Sequence, residues 1–136
     1  MTTIKHFEDI EAWKTARELT VFVYTLTDEG LFSRDFGLKD QIRRATVSIM
    51  SNIAEGFESQ TQAQFVRYLG HAKASAGEVR SQLYVALDVK YLTKEQFDKA
   101  FGLADKAIRQ IARFMAYLES HTDSRRISEE LAEYNV

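Results

Sequence analysis

The sequence has 136 residues, of which 45% are hydrophobic and 28% charged, with no cysteine, no proline and a formal net charge of −2. This length suits one domain with a single core, the lack of cysteine excludes disulfides and thiol chemistry, and the charge disfavours a strongly basic nucleic-acid binder. Because proline interrupts helices, its absence favours long helices.

Four segments repeat apolar residues at alternating spacings of four and three, which is typical of helices. The spacing predicts helices over about residues 9–28, 37–57, 62–91 and 94–121. Thr61 with Gln64 and Thr93 with Gln96 have the form of capping boxes at the starts of the third and fourth helices. Gly56 is typical of a frayed or capped helix end. Short connections then predict an all-α fold, an up-down-up-down antiparallel four-helix bundle of left-handed sense.

The two ends of the chain have little apolar content. Residues 1–11 lack the apolar stretch of a signal peptide, and no apolar run approaches the length of a membrane span, so we expect a cytoplasmic protein without a membrane partner. Residues 122–136 are rich in charge and show weak periodicity only through Ile127, Leu131 and Tyr134. We expect them to form a polar tail that is mobile or loosely docked.

The third and fourth helices carry more small and apolar residues than one bundle seam uses. The flanking stripes are Tyr84, Leu87 and Tyr91 on the third helix, and Ala100, Leu103, Ala107, Phe114 and Tyr117 on the fourth. They predict either a thick core or self-association. A separate ridge of small residues on the third helix consists of Gly70, Ala74, Gly77 and Ser81, and it predicts close packing of a helix or an aromatic ring, with a ligand groove as the alternative.

The usual anchors of enzyme chemistry are missing from the sequence. The three histidines, His6, His71 and His121, lie in different segments, and no Glu-x-x-His or glycine-rich phosphate motif occurs. We therefore predict no metal, no cofactor, no small-molecule substrate and no enzymatic activity.

Polar side chains form matching stripes on the second and third helices. The stripe on the third helix consists of His71, Ser75, Glu78 and Gln82, and its counterpart on the second helix consists of Ser48, Asn52 and Glu55. Asn52 is predicted at the seam position after Ile49, where a polar residue fixes register. We interpret Ser48, Asn52, Glu55, Ser75, Glu78 and Gln82 as a structural network or oligomer register. A small enzyme around His71 and Glu78 is the less favoured alternative, because side chains on one helix face diverge.

Basic residues concentrate in the middle of the chain. Residues 36–121 hold 12 Lys and Arg against nine Asp and Glu, and the remaining residues hold six against eleven. The candidate contacts for nucleic-acid phosphates are Lys39, Arg43 and Arg44 on the second helix, and Lys99, Lys106, Arg109 and Arg113 on the fourth. The competing interpretation is ordinary ion pairs at i, i+4, namely Asp40 with Arg44, Glu95 with Lys99 and Asp105 with Arg109.

Three stretches resemble a known family. The second helix reads Phe36-Gly-Leu-Lys-Asp-Gln-Ile-Arg-Arg-Ala45, followed by Val47-Ser-Ile49 and Ser51-Asn-Ile-Ala-Glu-Gly56. The opening, Phe7-Glu-Asp-Ile-Glu-Ala-Trp13-Lys14, and the third-helix residues Phe65 to Leu69, Ala72, Lys73, Ser75, Gly77, Glu78, Gln82 and Leu83 fit the same pattern. Over about residues 7–92 the chain resembles the ribosomal RNA intervening-sequence protein family, also called the four-helix bundle family.

The resemblance implies an up-down bundle that forms a ring-shaped homo-oligomer, typically a pentamer. Members are encoded within intervening sequences of large-subunit ribosomal RNA genes or elsewhere in bacterial genomes, and most have no assigned biochemical role. A related protein, the accessory variability determinant of diversity-generating retroelements, is strongly basic and binds nucleic acid and a reverse transcriptase. This sequence departs from the pattern at Met50, which replaces a usual proline, at Ala74, which replaces a usual glycine, and at Arg80, which replaces a common acidic residue. Met50 predicts a straighter second helix.

The sequence thus favours a non-enzymatic bundle that forms a homo-oligomeric ring and acts as an interaction scaffold. The alternative is an accessory protein that binds RNA or DNA through the two basic patches, alone or with a nucleic-acid enzyme as its partner.

Overall fold

The structure is a computed structural model that describes residues 4–120. Its four long helices are α1, Glu11–Thr27, α2, Phe36–Glu58, α3, Gln62–Asp88, and α4, Lys94–Ser120, with short 3₁₀ turns at Phe7–Asp9 and Gly30–Arg34. Within the described residues there is no strand. The predicted tail, residues 122–136, lies outside them.

The four helices pack as the corners of a square. α1 contacts α2 and α4, and α3 likewise contacts α2 and α4, so α1 lies diagonally across from α3 and α2 from α4. This arrangement confirms the all-α four-helix bundle. Since successive helices are antiparallel, the α1–α2 and α3–α4 connections lie at one end of the bundle and the α2–α3 connection at the other.

Most of the core follows the predicted apolar spacing, but the pattern shifts on α2, and on α4 Phe101, Ile108 and Met115 are only partly buried. Leu19 and Val23 of α1, Leu69 and Leu83 of α3 and Ile111 of α4 are fully buried. On α2, the buried position after Ile49 is occupied by Ile53 and not by the predicted Asn52, which is only partly buried. The buried seam of α2 therefore passes one residue beyond the predicted polar position, and Asn52 lies on the flank.

Side-chain caps fix the starts of three helices. Thr61 Oγ1 accepts a hydrogen bond from the Gln64 amide at 3.1 Å, and Thr93 Oγ1 does the same for the Gln96 amide at 3.1 Å. The Thr93 amide in turn donates to Gln96 Oε1 at 2.9 Å, which completes a capping box. At α2, Asp35 Oδ1 accepts from the Leu38 amide at 3.1 Å, a cap that the sequence analysis missed.

α3 ends three residues before its predicted end at residue 91. The Tyr91 amide donates to the Ala86 carbonyl at 2.8 Å and the Lys90 amide to the Leu87 carbonyl at 3.0 Å, the two bonds of a Schellman motif. The motif places Lys90 in the left-handed region at φ 65°, where glycine is usual. No glycine marks this helix end in the sequence, and the predicted helix was therefore too long.

α2 is helical through Met50, at the position where the family pattern has a proline. The Met50 side chain packs against the core, and its sulfur accepts a hydrogen bond from Thr20 Oγ1 at 3.4 Å. No helix among residues 4–120 combines the length and the apolar character that a membrane crossing requires.

Candidate functional site

The polar stripes of α2 and α3 face each other across a groove. A cavity of about 470 Å³ is lined by Gln41, Arg44, Ala45 and Ser48 from α2 and by Ser75, Glu78 and Gln82 from α3. The groove thus joins predicted network residues from both helices. Gln41 and Arg44 belong to the same lining, although the sequence analysis did not place them there.

A hydrogen-bonded cluster lies at the centre of this groove. The Ser48 and Ser75 hydroxyl oxygens are 3.0 Å apart, and either can donate. Asn52 Nδ2 donates to the Ser48 carbonyl at 2.8 Å and to Ser48 Oγ at 3.0 Å. Because all three side chains are partly buried, the cluster ties α2 to α3 at one register.

The remaining candidates of the stripes lie at the rim. Glu55, His71 and Glu78 are exposed, and His71 packs its ring edge-on against Tyr68 with 6.5 Å between ring centroids. Gln82 is partly buried, and its Oε1 is buried without a hydrogen-bond partner. His71 is not part of the cavity lining that contains Glu78, so the groove does not assemble these two side chains into one catalytic site.

Two of the seven basic candidates pack against aromatic rings of α1. Arg43 Nε donates to Thr27 Oγ1 at 2.7 Å, and the guanidinium carbon lies 4.3 Å from the centre of the Tyr24 ring. Lys99 Nζ lies 4.2 Å from the centre of the Phe22 ring. Both cations therefore stabilise contacts between helices.

Two of the three predicted ion pairs form. Arg44 Nε lies 2.9 Å from Asp40 Oδ2, and Arg109 Nε lies 3.2 Å from Asp105 Oδ2. The predicted pair of Glu95 with Lys99 does not form, since Lys99 packs on Phe22.

The basic residues do not form one surface. Lys39 and Arg43 line a shallow cavity with Phe36 on α2. Lys106, Arg109 and Arg113 line a cavity of about 650 Å³ on α4, together with Gln110, Ala112 and Ala116. Because α2 and α4 occupy diagonal corners, one nucleic-acid strand cannot contact both patches of a single chain along a straight path.

The ridge of small residues on α3 faces outward and is open. Ala74, Gly77 and Ser81 are exposed, and a Cβ atom built on Gly77 has no neighbouring atom within 4 Å. Val85 continues this face and is 48% exposed, and Val89 is 49% exposed. Gly70, at the other end of the ridge, differs from Gly77, since its built Cβ lies 3.7 Å from Met115 Cε of α4. At Gly77, the described part of the chain therefore supplies no close packing partner of the kind predicted for this ridge.

The two predicted flanking stripes differ from each other in burial. Ala100, Ala107, Phe114 and Tyr117 on α4 are buried, and Leu103 is half-buried. On α3, Tyr84 is 51% exposed and packs its ring against both Phe97 and Phe101 of α4, which stack on each other. The stripe on α4 therefore belongs mainly to the core of the chain, whereas Tyr84 on α3, with Val85 and Val89 near it, stays about half exposed.

Gly56 and Arg80 have roles that the sequence analysis missed. A Cβ atom on Gly56 would lie 2.9 Å from Phe65 Cδ1 and 3.0 Å from Tyr68 Cβ, so this glycine allows α3 to approach α2 closely and is not a helix cap. α2 continues to Glu58. The Arg80 guanidinium carbon lies 4.8 Å from the centre of the Phe101 ring, which gives the reversed charge at this position a contact with α4.

No group of three or more His, Asp or Glu side chains within residues 4–120 is placed to hold a metal ion.

A search of curated proteins finds no match to the sequence. Residues 8–113 match the 23S rRNA-intervening sequence protein family. The chain belongs to this family. The match to the second-helix, opening and third-helix motifs is thereby confirmed as a family relationship.

A solved structure of an S23 ribosomal protein family member has the same fold. This protein of unknown function from Bacteroides thetaiotaomicron aligns with a TM-score of 0.71 and 22% sequence identity, over 76% of this chain and 97% of the other. At this identity the likeness extends to the fold. The intervening-sequence protein family has no known function, and the family description names no catalysed reaction.

Proposed function

We propose that the chain is a non-enzymatic helical bundle that self-associates into a homo-oligomeric ring and serves as an interaction scaffold, with five copies as the family resemblance implies. The observation that carries the proposal is the outward face of α3. There the small residues Ala74, Gly77 and Ser81 are exposed, and Val85 follows them on the same face.

A helix with this face has a physical reason to take a partner. A mid-helix glycine costs about 1 kcal/mol relative to alanine, and the open space at Gly77 shows no contact within the described chain that offsets this cost. Small side chains let a second helix approach closely, and the half-exposed Val85 and Val89 supply apolar area next to the ridge of small residues. A second copy of the chain satisfies both features.

The polar groove supports a scaffold more than a catalytic centre. Ser48, Ser75 and Asn52 bond to one another across the α2–α3 interface, which uses their hydrogen-bonding capacity for register. A nucleophilic serine would need a neighbouring base, and His71 lies outside the groove. We therefore assign the predicted network Ser48, Asn52 and Ser75 to structure, with Glu55, Glu78 and Gln82 at its edges.

Matched glycine substitutions test the interface. Gly77 and Gly102 are both exposed mid-helix glycines with open space around a built Cβ, on α3 and α4. We expect Gly77→Leu to lower the oligomer mass measured by light scattering, and Gly102→Leu to leave it unchanged. A Gly77→Leu variant with the mass of the wild type would contradict the assignment of this face.

Charged substitutions give a second, independent test. Val85→Lys should also dissociate the oligomer, because an ammonium group would be buried against a neighbouring helix. Val21→Lys on α1 is the control, since Val21 is 61% exposed and lies on another helix. Equal oligomer masses for both variants and the wild type would contradict the assignment of α3 to the interface.

A further inference from the structure

The outward face of α4 is a strongly basic surface. Lys106, Arg109 and Arg113 follow one another at spacings of three and four, and all three are exposed. Arg109 is paired with Asp105. Within the described residues neither Lys106 nor Arg113 has an ion-pair partner. With Gln110, Ala112 and Ala116, these cations line the cavity of about 650 Å³.

Gln110 adds a second feature to the same cavity. Its side chain is 7% exposed, and its Oε1 is buried without a hydrogen-bond partner. A buried carbonyl oxygen left unpaired costs roughly 1 to 3 kcal/mol. The surface therefore offers two unpaired cations beside an acceptor that lacks a donor.

The segment after α4 has the complementary chemistry. Residues 121–136 carry four acidic side chains, Asp123, Glu129, Glu130 and Glu133, against two arginines. Three apolar side chains, Ile127, Leu131 and Tyr134, lie at spacings of four and three, which places them on one face if the segment is helical. Ser128, Tyr134 and Asn135 each carry a hydrogen-bond donor, the group that the Gln110 oxygen lacks.

The distances along the chain permit this contact. Along α4, Arg113 lies about 10 Å and Lys106 about 21 Å before Ser120, at about 1.5 Å per residue. An extended chain advances roughly 3.3 Å per residue, so the ten residues from 121 to 130 can fold back over this span. A segment joined directly to α4 is also present at a high effective concentration.

We propose that residues 122–136 dock onto the basic face of α4 in the same chain, with Glu130 and Glu133 against Lys106 and Arg113. This contact neutralises the two cations that have no partner within the bundle and supplies a donor for Gln110. It is independent of the proposed ring, because it uses α4 and not the outward face of α3.

Proteolysis of the full chain tests the docking. Arg125 and Arg126 lie within the segment, so an arginine-specific protease reports how often it leaves the surface. We expect Lys106→Glu with Arg113→Glu to speed cleavage after Arg125 and Arg126 roughly tenfold. Adding Glu130→Lys and Glu133→Lys to that variant should slow the cleavage again, because the charges are then exchanged. Lysines add no site for this protease.

Two controls decide between occupants of the surface. Lys39→Glu with Arg44→Glu changes the net charge equally on α2 and should leave the cleavage rate unchanged. Mixing the α4 variant with a separate Glu130→Lys, Glu133→Lys chain should leave both rapidly cleaved, and restored protection would mean that the tail docks on another copy. Equal cleavage of the wild type and the α4 variant, or no recovery on charge exchange, would overturn the proposal.

Discussion

The Tyr91 hydroxyl donates a 2.9 Å hydrogen bond to Asp35 Oδ2, which links the α3–α4 connection to the first turn of α2. The other carboxylate oxygen, Asp35 Oδ1, caps α2 through the Leu38 amide. The Tyr91 ring also packs against Phe32, with 5.2 Å between ring centroids. One aspartate therefore holds together both loops at this end of the bundle.

This contact predicts a dependence of stability on pH. The hydrogen bond to the Asp35 carboxylate raises the pKa of the Tyr91 hydroxyl above its ordinary value of 10.0. The bond therefore stabilises the fold fully below pH 10 and loses its effect as the pH rises through the pKa of the folded state. Denaturant unfolding of wild type and Tyr91→Phe should give a difference in the free energy of unfolding that is constant at neutral pH and shrinks above pH 10. A difference that grows with pH would contradict this assignment.

Gly56 is predicted to resist replacement by alanine. The added methyl group would clash with Phe65 and Tyr68, so Gly56→Ala should lower the free energy of unfolding by about 1 to 3 kcal/mol. Gly102→Ala is the matched control, because its methyl group would meet no atom within 4 Å and should add up to about 1 kcal/mol of stability. Urea unfolding measures both changes. A higher free energy of unfolding for Gly56→Ala than for the wild type would contradict the role of Gly56 in the close packing of α2 and α3.

Lys90 is predicted to be a strained position. With φ at 65°, its backbone lies in the left-handed region, so Lys90→Gly should raise the free energy of unfolding by about 1 kcal/mol. Lys90→Ala removes the same charge but keeps a Cβ atom, and it should give no such gain. Equal effects of the two substitutions on thermal unfolding would mean that charge, and not backbone conformation, decides the result.

The Ser48 and Ser75 hydroxyls are predicted to be energetically coupled. A double-mutant cycle with Ser48→Ala, Ser75→Ala and the double variant should give a coupling energy of about 0.5 to 1.5 kcal/mol, the net value of one hydrogen bond. Ser48 also contacts Asn52, so Ser48→Ala should cost more than Ser75→Ala. A coupling energy of zero would show that the Ser48–Ser75 hydrogen bond does not help to set the α2–α3 register.

The scaffold proposal predicts no electrostatic binding to nucleic acid. Arg43 and Lys99 pack on aromatic rings of α1, Arg44 and Arg109 have acidic partners, and the two patches lie on diagonal helices. The full chain should therefore show no salt-dependent binding of a single-stranded RNA oligonucleotide, measured by fluorescence anisotropy at low salt. Binding that weakens steadily as salt is added would favour the alternative function.

Helix positions followed from the sequence because apolar spacing and capping residues are local signals. Thr93 with Gln96 marks the start of α4. The apolar residues that alternate at spacings of four and three along α3 are all buried: Phe65, Leu69, Ala72, Ala76, Val79, Leu83 and Ala86. The end of α3 did not follow, since a lysine occupies the left-handed position at residue 90. The Asp35 cap has an ordinary sequence signature, but its second role depends on Tyr91, which is distant along the chain.

The polar stripes were predicted as facing pairs, and Ser48, Asn52 and Ser75 do come together. The error at Asn52 arose because strict alternation puts Asn52, three residues after Ile49, on the seam, whereas the packing selects Ile53, four residues after Ile49. Lys99 failed to pair with Glu95 for a similar reason, since the Phe22 ring that it contacts belongs to another helix. Contacts between helices are therefore what the single sequence did not resolve.

The mass of the chain in solution tests the central claim most directly. Sedimentation velocity at micromolar concentration should give a homo-oligomer, at five times the 15.6 kDa of one chain for the proposed pentamer. If only a 15.6 kDa species sediments at micromolar concentration, self-association and the proposed scaffold are both contradicted.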